Sequence, residues 1–441
     1  MFNVLVLILV LGMGSTVVAF AQRSLRDEAY QRRFTVVGAA LVGTGAVLAT
    51  TSNLIILAFA WVATSLLAVE LIRTGPAAGV AERSLRARRS FVAGDLALVA
   101  AVAIIVVASG STAIGDIDQV GPVALGIASV LVVIAAAARS ASGPFYRWLP
   151  DSLGAPTPSS ALLHAGVVNG GALVLLKLAP TTTQSMAGAV AAALVGGLTC
   201  VFAEAVMVTR PDVKGRLAWS TIAQMSFTLL LVGLGLHVAA GLHLVAHGLY
   251  KGALFLGSGS TVRVLARGRR APSATTLGSG RSMALLAFGS MAIAIATTVE
   301  LTGASWTAEL ALLAGLAWVA AGCATQAALR RASGTIEYAT TLALGAGLVG
   351  SFLLGTLALK YGVESQLGAE NAALSPLWVL PVLASLVAVA LAPRSLPIWR
   401  HVRAAGRPTP TSRRQGSSAL ALRPGHIAIA GDQPALDRIG A

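Results

Sequence analysis

The chain has 441 residues, of which 56% are hydrophobic and 11% charged, and its mean hydropathy is +0.80. Soluble domains carry about 25% charged residues, so this composition excludes a soluble fold and points to the bilayer, where about 20 mostly apolar residues cross the hydrocarbon. Basic residues outnumber acidic ones, 32 to 17, but they lie between apolar runs and aromatic residues make up only 5%, which excludes a nucleic-acid surface.

The apolar runs predict an all-α, polytopic membrane protein of about 13 transmembrane helices. They lie near 2–21, 34–51, 53–72, 90–109, 122–138, 159–179, 185–208, 216–235, 238–260, 282–300, 306–326, 335–359 and 375–392. The first run resembles a secretory leader, but Met1, Phe2 and Asn3 offer no basic segment before it, so a retained first helix is expected. Residues 1–392 are expected to form the membrane domain, and 393–441 a polar, Arg-rich cytoplasmic tail.

Loop charges orient the spans. With the N-terminus outside, the inner connections hold Arg23, Arg26, Arg32 and Arg33, then Arg73, Arg83, Arg86, Arg88 and Arg89. Arg139 with Arg147, and then Arg210, Lys214 and Arg216, follow on the same side. The outer loops carry Asp116, Asp118, Glu300, Glu364 and Glu370, which completes a positive-inside pattern. Lys177, Lys251 and Lys360 escape it, and Lys, unlike Arg, releases its proton when desolvated.

Acids within spans are Glu70, Asp95 and Glu204. Glu70 and Glu204 lie near inner ends, where an interfacial role and a transport role fit equally. Asp95, one turn into the fourth span after Arg88 and Arg89, reads as half of a structural ion pair. Pro144, Pro150, Pro156 and Pro158 forbid one continuous helix between the fifth and sixth spans, and Asp151 there caps or pairs locally. His164 and Lys177 follow, with Asn169 between them. His164 is the deeper relay candidate; Lys177 is near an outer end, where snorkelling explains it as well.

The densest signal is HLVAHGLYKGALFLGSGS, which begins at His243. His243, His247 and Lys251 at i, i+4 and i+8 form one polar stripe on a helix. Ionisable groups at membrane depth mark an ion path by default, and imidazole exchanges protons near neutral pH. The plainer alternative is a helix-end Lys with histidines bonded to neighbouring helices. Zinc would need a third ligand or HExxH, and neither is evident. GSGS at 257–260 is expected to loosen the helix end, or else to allow close packing. Cys200 and Cys323 stand alone in apolar segments. With no phosphate loop, dinucleotide fingerprint or CxxC cluster, redox or hydrolytic chemistry is expected in a partner, and no cofactor in this chain.

Two stretches carry a resemblance: WLPDSLGAPTPSSALLHA at 148–165, and DVKGRLAWSTIAQMSF with HLVAHGLYKGALFL across 212–256. They resemble the proton-conducting antiporter-type subunits of respiratory complex I, Mrp antiporters and membrane-bound hydrogenases. Within that superfamily, AWVATSLLAVEL at 60–71, ARRSFVAGDLAL at 87–98 and HAGVVNGG at 164–171 are similar to the DabB family, the membrane subunits of bacterial systems that accumulate dissolved inorganic carbon.

The resemblance implies antiporter-like inverted repeats with broken helices and a polar axis at mid-membrane. It implies ion-translocation roles for His164, His243, His247 and Lys251. Arg139 stands where the family has a Lys, and Val62 where complex I subunits have a Glu; Glu70, Lys177 and Glu204 are further candidates. The resemblance also implies a DabA-like peripheral zinc subunit as partner, with the zinc in that partner. Proton or sodium flow through this chain would then energise conversion of carbon dioxide to bicarbonate, at the bacterial inner membrane. A proton-pumping subunit of an NADH–quinone oxidoreductase, hydrogenase or Mrp-type complex is the alternative.

Overall fold

The computed structural model describes residues 2–74, 79–210, 212–266, 280–303, 308–329 and 335–367. Hydrocarbon offers the backbone no partner outside the chain, so apolar runs of bilayer length close their hydrogen bonds internally as helices. In order come α1 (Phe2–Ser24), α2 (Gln31–Thr50), α3 (Leu54–Arg73), α4 (Val80–Ser109) and α5 (Pro122–Arg139), each packed on the next. A segmented stretch follows: α6 (Trp148–Asp151), α7 (Thr157–Leu162), a π turn at Leu163–Val167, α8 (Asn169–Lys177) and α9 (Pro180–Thr183). Long helices then resume as α10 (Met186–Thr209), α11 (Val213–Gly233), α12 (His237–Ala266), α13 (Gly280–Thr302), α14 (Ala308–Leu329) and α15 (Thr335–Leu367). Among the described residues the β pairing is an isolated bridge between Asn53 and Ala113.

Every expected span from 2–21 to 335–359 coincides with one of these helices, the sixth being the segmented α7–α8 stretch. Nine stretches among the described residues are long and apolar enough to cross a membrane. The expected span at 375–392, Lys360's side chain and the tail at 393–441 lie outside what is described.

Two expectations need correction. First, α12 runs through 257–260 without a break. Gly257 has open space where its Cβ would be, so it is not a close-packing position either. Glycine and serine permit a break, but in hydrocarbon a freed backbone group has nothing to bond, and the helix persists. Second, Arg139 does not lie in an inner loop. It ends α5 inside the bundle at 2% exposure.

The chain turns immediately after Arg139, with Ala141 at φ 54° and Gly143 at φ 59°. The carbonyls freed there are recaptured. Ser142 N–H donates to Ala137 O (2.8 Å), and Trp148 Nε1 to Ala138 O (3.0 Å). Neighbouring helices also hold the turn: Ser142 and Ser226 hydroxyls bond at 2.8 Å, and Gly143 N–H donates to Thr199 Oγ1 (2.8 Å).

Small residues let backbones approach where the site is built. A Cβ on Gly171 would lie 2.4 Å from Ala136 O, so α8 rests directly on α5. On α10, a Cβ at Gly196 would lie 2.5 Å from Leu230 N; on α11, one at Gly233 would lie 2.5 Å from Ala193 N. Forcing bulk into such a contact costs about 1–3 kcal/mol. Gly196→Val is therefore expected to lower the thermal unfolding temperature in detergent and loosen α10 from α11, whereas Gly257→Val leaves it unchanged. Equal behaviour of the two variants would contradict this packing.

Candidate functional site

The site grows from α12. Lys251 is 1% exposed, and its Nζ donates to Ser220 Oγ (2.5 Å) and Leu217 O (3.3 Å) on α11. Both acceptors are neutral, and Lys251 makes no ion pair among the described residues. Glu204 on α10 is an acid whose field reaches it.

One turn back along α12, the His247 ring bonds to Asn169 Oδ1 through Nδ1 at 3.0 Å. Asn169 opens α8, and its Nδ2 donates to Ala165 O (3.0 Å) and Leu244 O (3.4 Å). The amide is therefore spent on carbonyls and its oxygen faces the ring, which assigns the His247 proton to Nδ1 and leaves Nε2 as an acceptor. His164 repeats the arrangement. Thr221 Oγ1 donates to Leu217 O (2.9 Å) and so accepts from His164 Nδ1 (3.4 Å). Among the described residues, the Nε2 atoms of His164, His243 and His247 are buried without a hydrogen-bond partner.

The rings are held as firmly as their nitrogens. His164 stacks on Phe255 at 4.3 Å between centroids, and His243 and His247 lie near-parallel at 6.1 Å. His243 also meets Phe227 edge-on at 5.4 Å. The π turn positions His164 by widening the helix where α7 meets α8, a feature frequent at functional sites. The charge on Lys251 acts on all three imidazoles, and His243 and His164 act on His247, so these groups form one electrostatic unit.

Arg139 forms a second cluster. Its Nη1 donates to Thr64 Oγ1 (2.7 Å), and Nη2 to Trp61 O (3.0 Å) and to Ser65 Oγ. Asp95 Oδ1 lies 3.5 Å from Nη2 and also accepts from Ser65 Oγ (2.6 Å). The guanidinium stacks over Trp61 at 4.0 Å. Asp95 thus pairs with Arg139 rather than with the nearby Arg88 or Arg89. It supplies, from α4, a carboxylate that Val62 does not.

The other candidates sit apart from both clusters. Glu70 bonds Arg33 and lies 3.9 Å from Arg73 at the end where α3 finishes. Lys177 Nζ donates to Ala49 O (2.9 Å), tying the end of α8 to the end of α2. Asp151 pairs with Arg86 on α4 at 2.6 Å. Sequence reasoning gave no role to Ser220, Thr221 or Phe255, because isolated hydroxyls and one Phe in apolar helices carry no periodic signal. Among the described residues no group of three or more His, Cys, Asp or Glu is placed to hold a metal ion.

Fold and site together define a multi-pass membrane protein of antiporter type, with protonatable side chains buried between helices. Residues 51–315, more than half of the chain, match the transmembrane family of NADH:quinone oxidoreductases and Mrp antiporters, and the chain belongs to that family. Over 220 residues it is 38% identical to the probable inorganic carbon transporter subunit DabB of Hydrogenovibrio crunogenus, covering 48% of this chain and 42% of that protein. Over 138 residues it is 46% identical to the probable subunit DabB2 of Halothiobacillus neapolitanus, covering 31% of this chain and 25% of that protein. The matches thus span less than half the length of these curated relatives. The Mrp complex of a Dietzia species contains a similarly folded chain, with TM-score 0.55 and 23% identity over 96% of this chain and 48% of that one.

Lys177 serves as a tie between helix ends in this geometry. Lys177→Met is expected to reduce stability by about 1 kcal/mol through the lost bond, while cation flux in reconstituted liposomes stays at the wild-type level. Loss of flux with stability intact would contradict a purely structural Lys177.

Proposed function

We propose that this chain conducts protons, or sodium, as the membrane subunit of a complex that accumulates inorganic carbon. The observation that carries the reading is the Lys251 cluster. An amine and three imidazoles sit inside the bundle, each imidazole offering a free Nε2, and the amine is met by neutral acceptors. Such groups are costly in hydrocarbon unless they handle a mobile cation.

In this reading Lys251 and Glu204 load and release the proton, and His164 in the π turn passes it with His247 and His243 on α12. A neutral amine and an ammonium are both accommodated by Ser220, since a hydroxyl both donates and accepts. Asn169 and Thr221 hold the rings so that Nε2 stays available. The similarity to proteins named as inorganic carbon transporter subunits supports the choice of cargo process. Conversion of carbon dioxide to bicarbonate then belongs to a DabA-like peripheral partner that carries zinc. The N-terminus lies outside the bacterial inner membrane and the Arg-rich segment at 393–441 is cytoplasmic. Residues 1–392 form the conducting domain.

Lys251→Ala and His247→Ala are expected to reduce uptake of radiolabelled inorganic carbon by expressing cells to background, with membrane insertion unchanged. Wild-type uptake in both variants would remove the proposal. Purification of the native complex separates the cargo readings: a zinc-containing partner supports inorganic carbon, whereas flavin and iron–sulfur subunits would assign the chain to an oxidoreductase instead.

A further inference from the structure

Arg139 lines a cavity that meets the histidine cluster at Asn169. This void of about 80 Å³ is lined by Arg139, Thr64, Asn169 and Gly170, and otherwise by apolar side chains, chiefly of α1, α2 and the α7–α8 stretch. It is roomy enough for water. Asn169, one of its polar lining residues, holds His247 directly. A neutral residue in place of Arg139 would leave this space as a continuation of the path beyond His247.

Arg139 is built to prevent that. Its guanidinium effectively never releases a proton, so it does not carry one. It is immobilised by Thr64, Ser65, the Trp61 carbonyl and the Trp61 ring. The turn that follows it is pinned to α10 and α11. Arg139 lines the cavity and its partner Asp95 does not, so the void faces the positive end of the pair. A fixed Arg in a pore excludes protons and cations electrostatically.

We infer that Arg139 is an electrostatic barrier that ends the conduction path at Asn169, rather than a carrier within it. The inference rests on the relay reading of Lys251 and the histidines. Its consequence is that cations entering the α11–α12 half cannot escape through the α3–α5 half, which keeps their flow coupled to the partner.

The test uses the full complex in liposomes loaded with a pH-sensitive dye, under an imposed membrane potential and without inorganic carbon. Wild type is expected to leak slowly, and Arg139→Gln at least about tenfold faster, because the charge is gone while an amide remains. The double variant Arg139→Gln/Asp95→Asn leaves no unpaired buried charge; it is expected to leak likewise and keeps the test decisive if the single variant does not fold. Adding Asn169→Leu is expected to close the leak. Wild-type leak in the double variant overturns the barrier, as does a leak that persists with Asn169→Leu. The relay reading fails separately: if Lys251→Ala leaves coupled inorganic carbon uptake intact, the relay is wrong. If it abolishes uptake while the leak stays at wild type, only the barrier is wrong.

Discussion

A protonatable or charged side chain buried in hydrocarbon must find all its partners inside the protein, and much of this structure follows from how two such side chains meet that demand. Arg139 is surrounded by acceptors, paired with Asp95 and covered by the Trp61 ring. Removing one member of such a buried pair typically costs about 3–5 kcal/mol, so the cluster is a fixed feature of the bundle. Lys251 is equally buried, yet among the described residues its hydrogen bonds go to a hydroxyl and a carbonyl. These serve a neutral amine about as well as an ammonium. The first arrangement holds a charge permanently; the second suits a proton that comes and goes.

Backbone irregularity places both groups. α5 ends at Arg139 because the following residues adopt positive φ, and Trp148, Ser142 and Thr199 take up the backbone groups released. The π turn at Leu163–Val167 aims His164 toward Thr221 and Phe255, while Gly170 and Gly171 let α8 lie against Arg139 and α5. Asn169, at the start of α8, joins the two clusters: it steadies His247 on one side and lines the cavity beneath Arg139 on the other. The break after Arg139 is tolerated because neighbouring side chains and turn backbone satisfy the freed groups, which is the condition the bilayer imposes.

The spans were legible because hydrophobic length is a local property that the bilayer reads directly. The stripe of His243, His247 and Lys251 was legible for the same reason, since i, i+4 spacing on one helix needs no tertiary information. Arg139 was not. Its place near the end of an apolar run, with Arg147 close behind, satisfies the positive-inside pattern, and only the packing of α3 and α4 shows that it points inward. Asp95 was visible as a pairing residue, but its partner 44 positions away was not. Lys177 and Glu70 were visible as ionisable groups in or near spans; that one ties to Ala49 O and the other to Arg33 depends on which helices are neighbours. GSGS misled because a helix-breaking composition acts only where freed backbone has somewhere to bond.

The central claim is that Lys251 must let go of its proton, and one substitution separates charge from proton release. Arg in its place keeps the positive charge and hydrogen-bonding capacity but cannot deprotonate. Proton flux driven by an imposed gradient with inorganic carbon present, measured for the native complex in liposomes with Lys251→Arg, is predicted to fall to the level of protein-free vesicles while the complex stays assembled. Flux equal to wild type in that variant would contradict a proton-releasing Lys251.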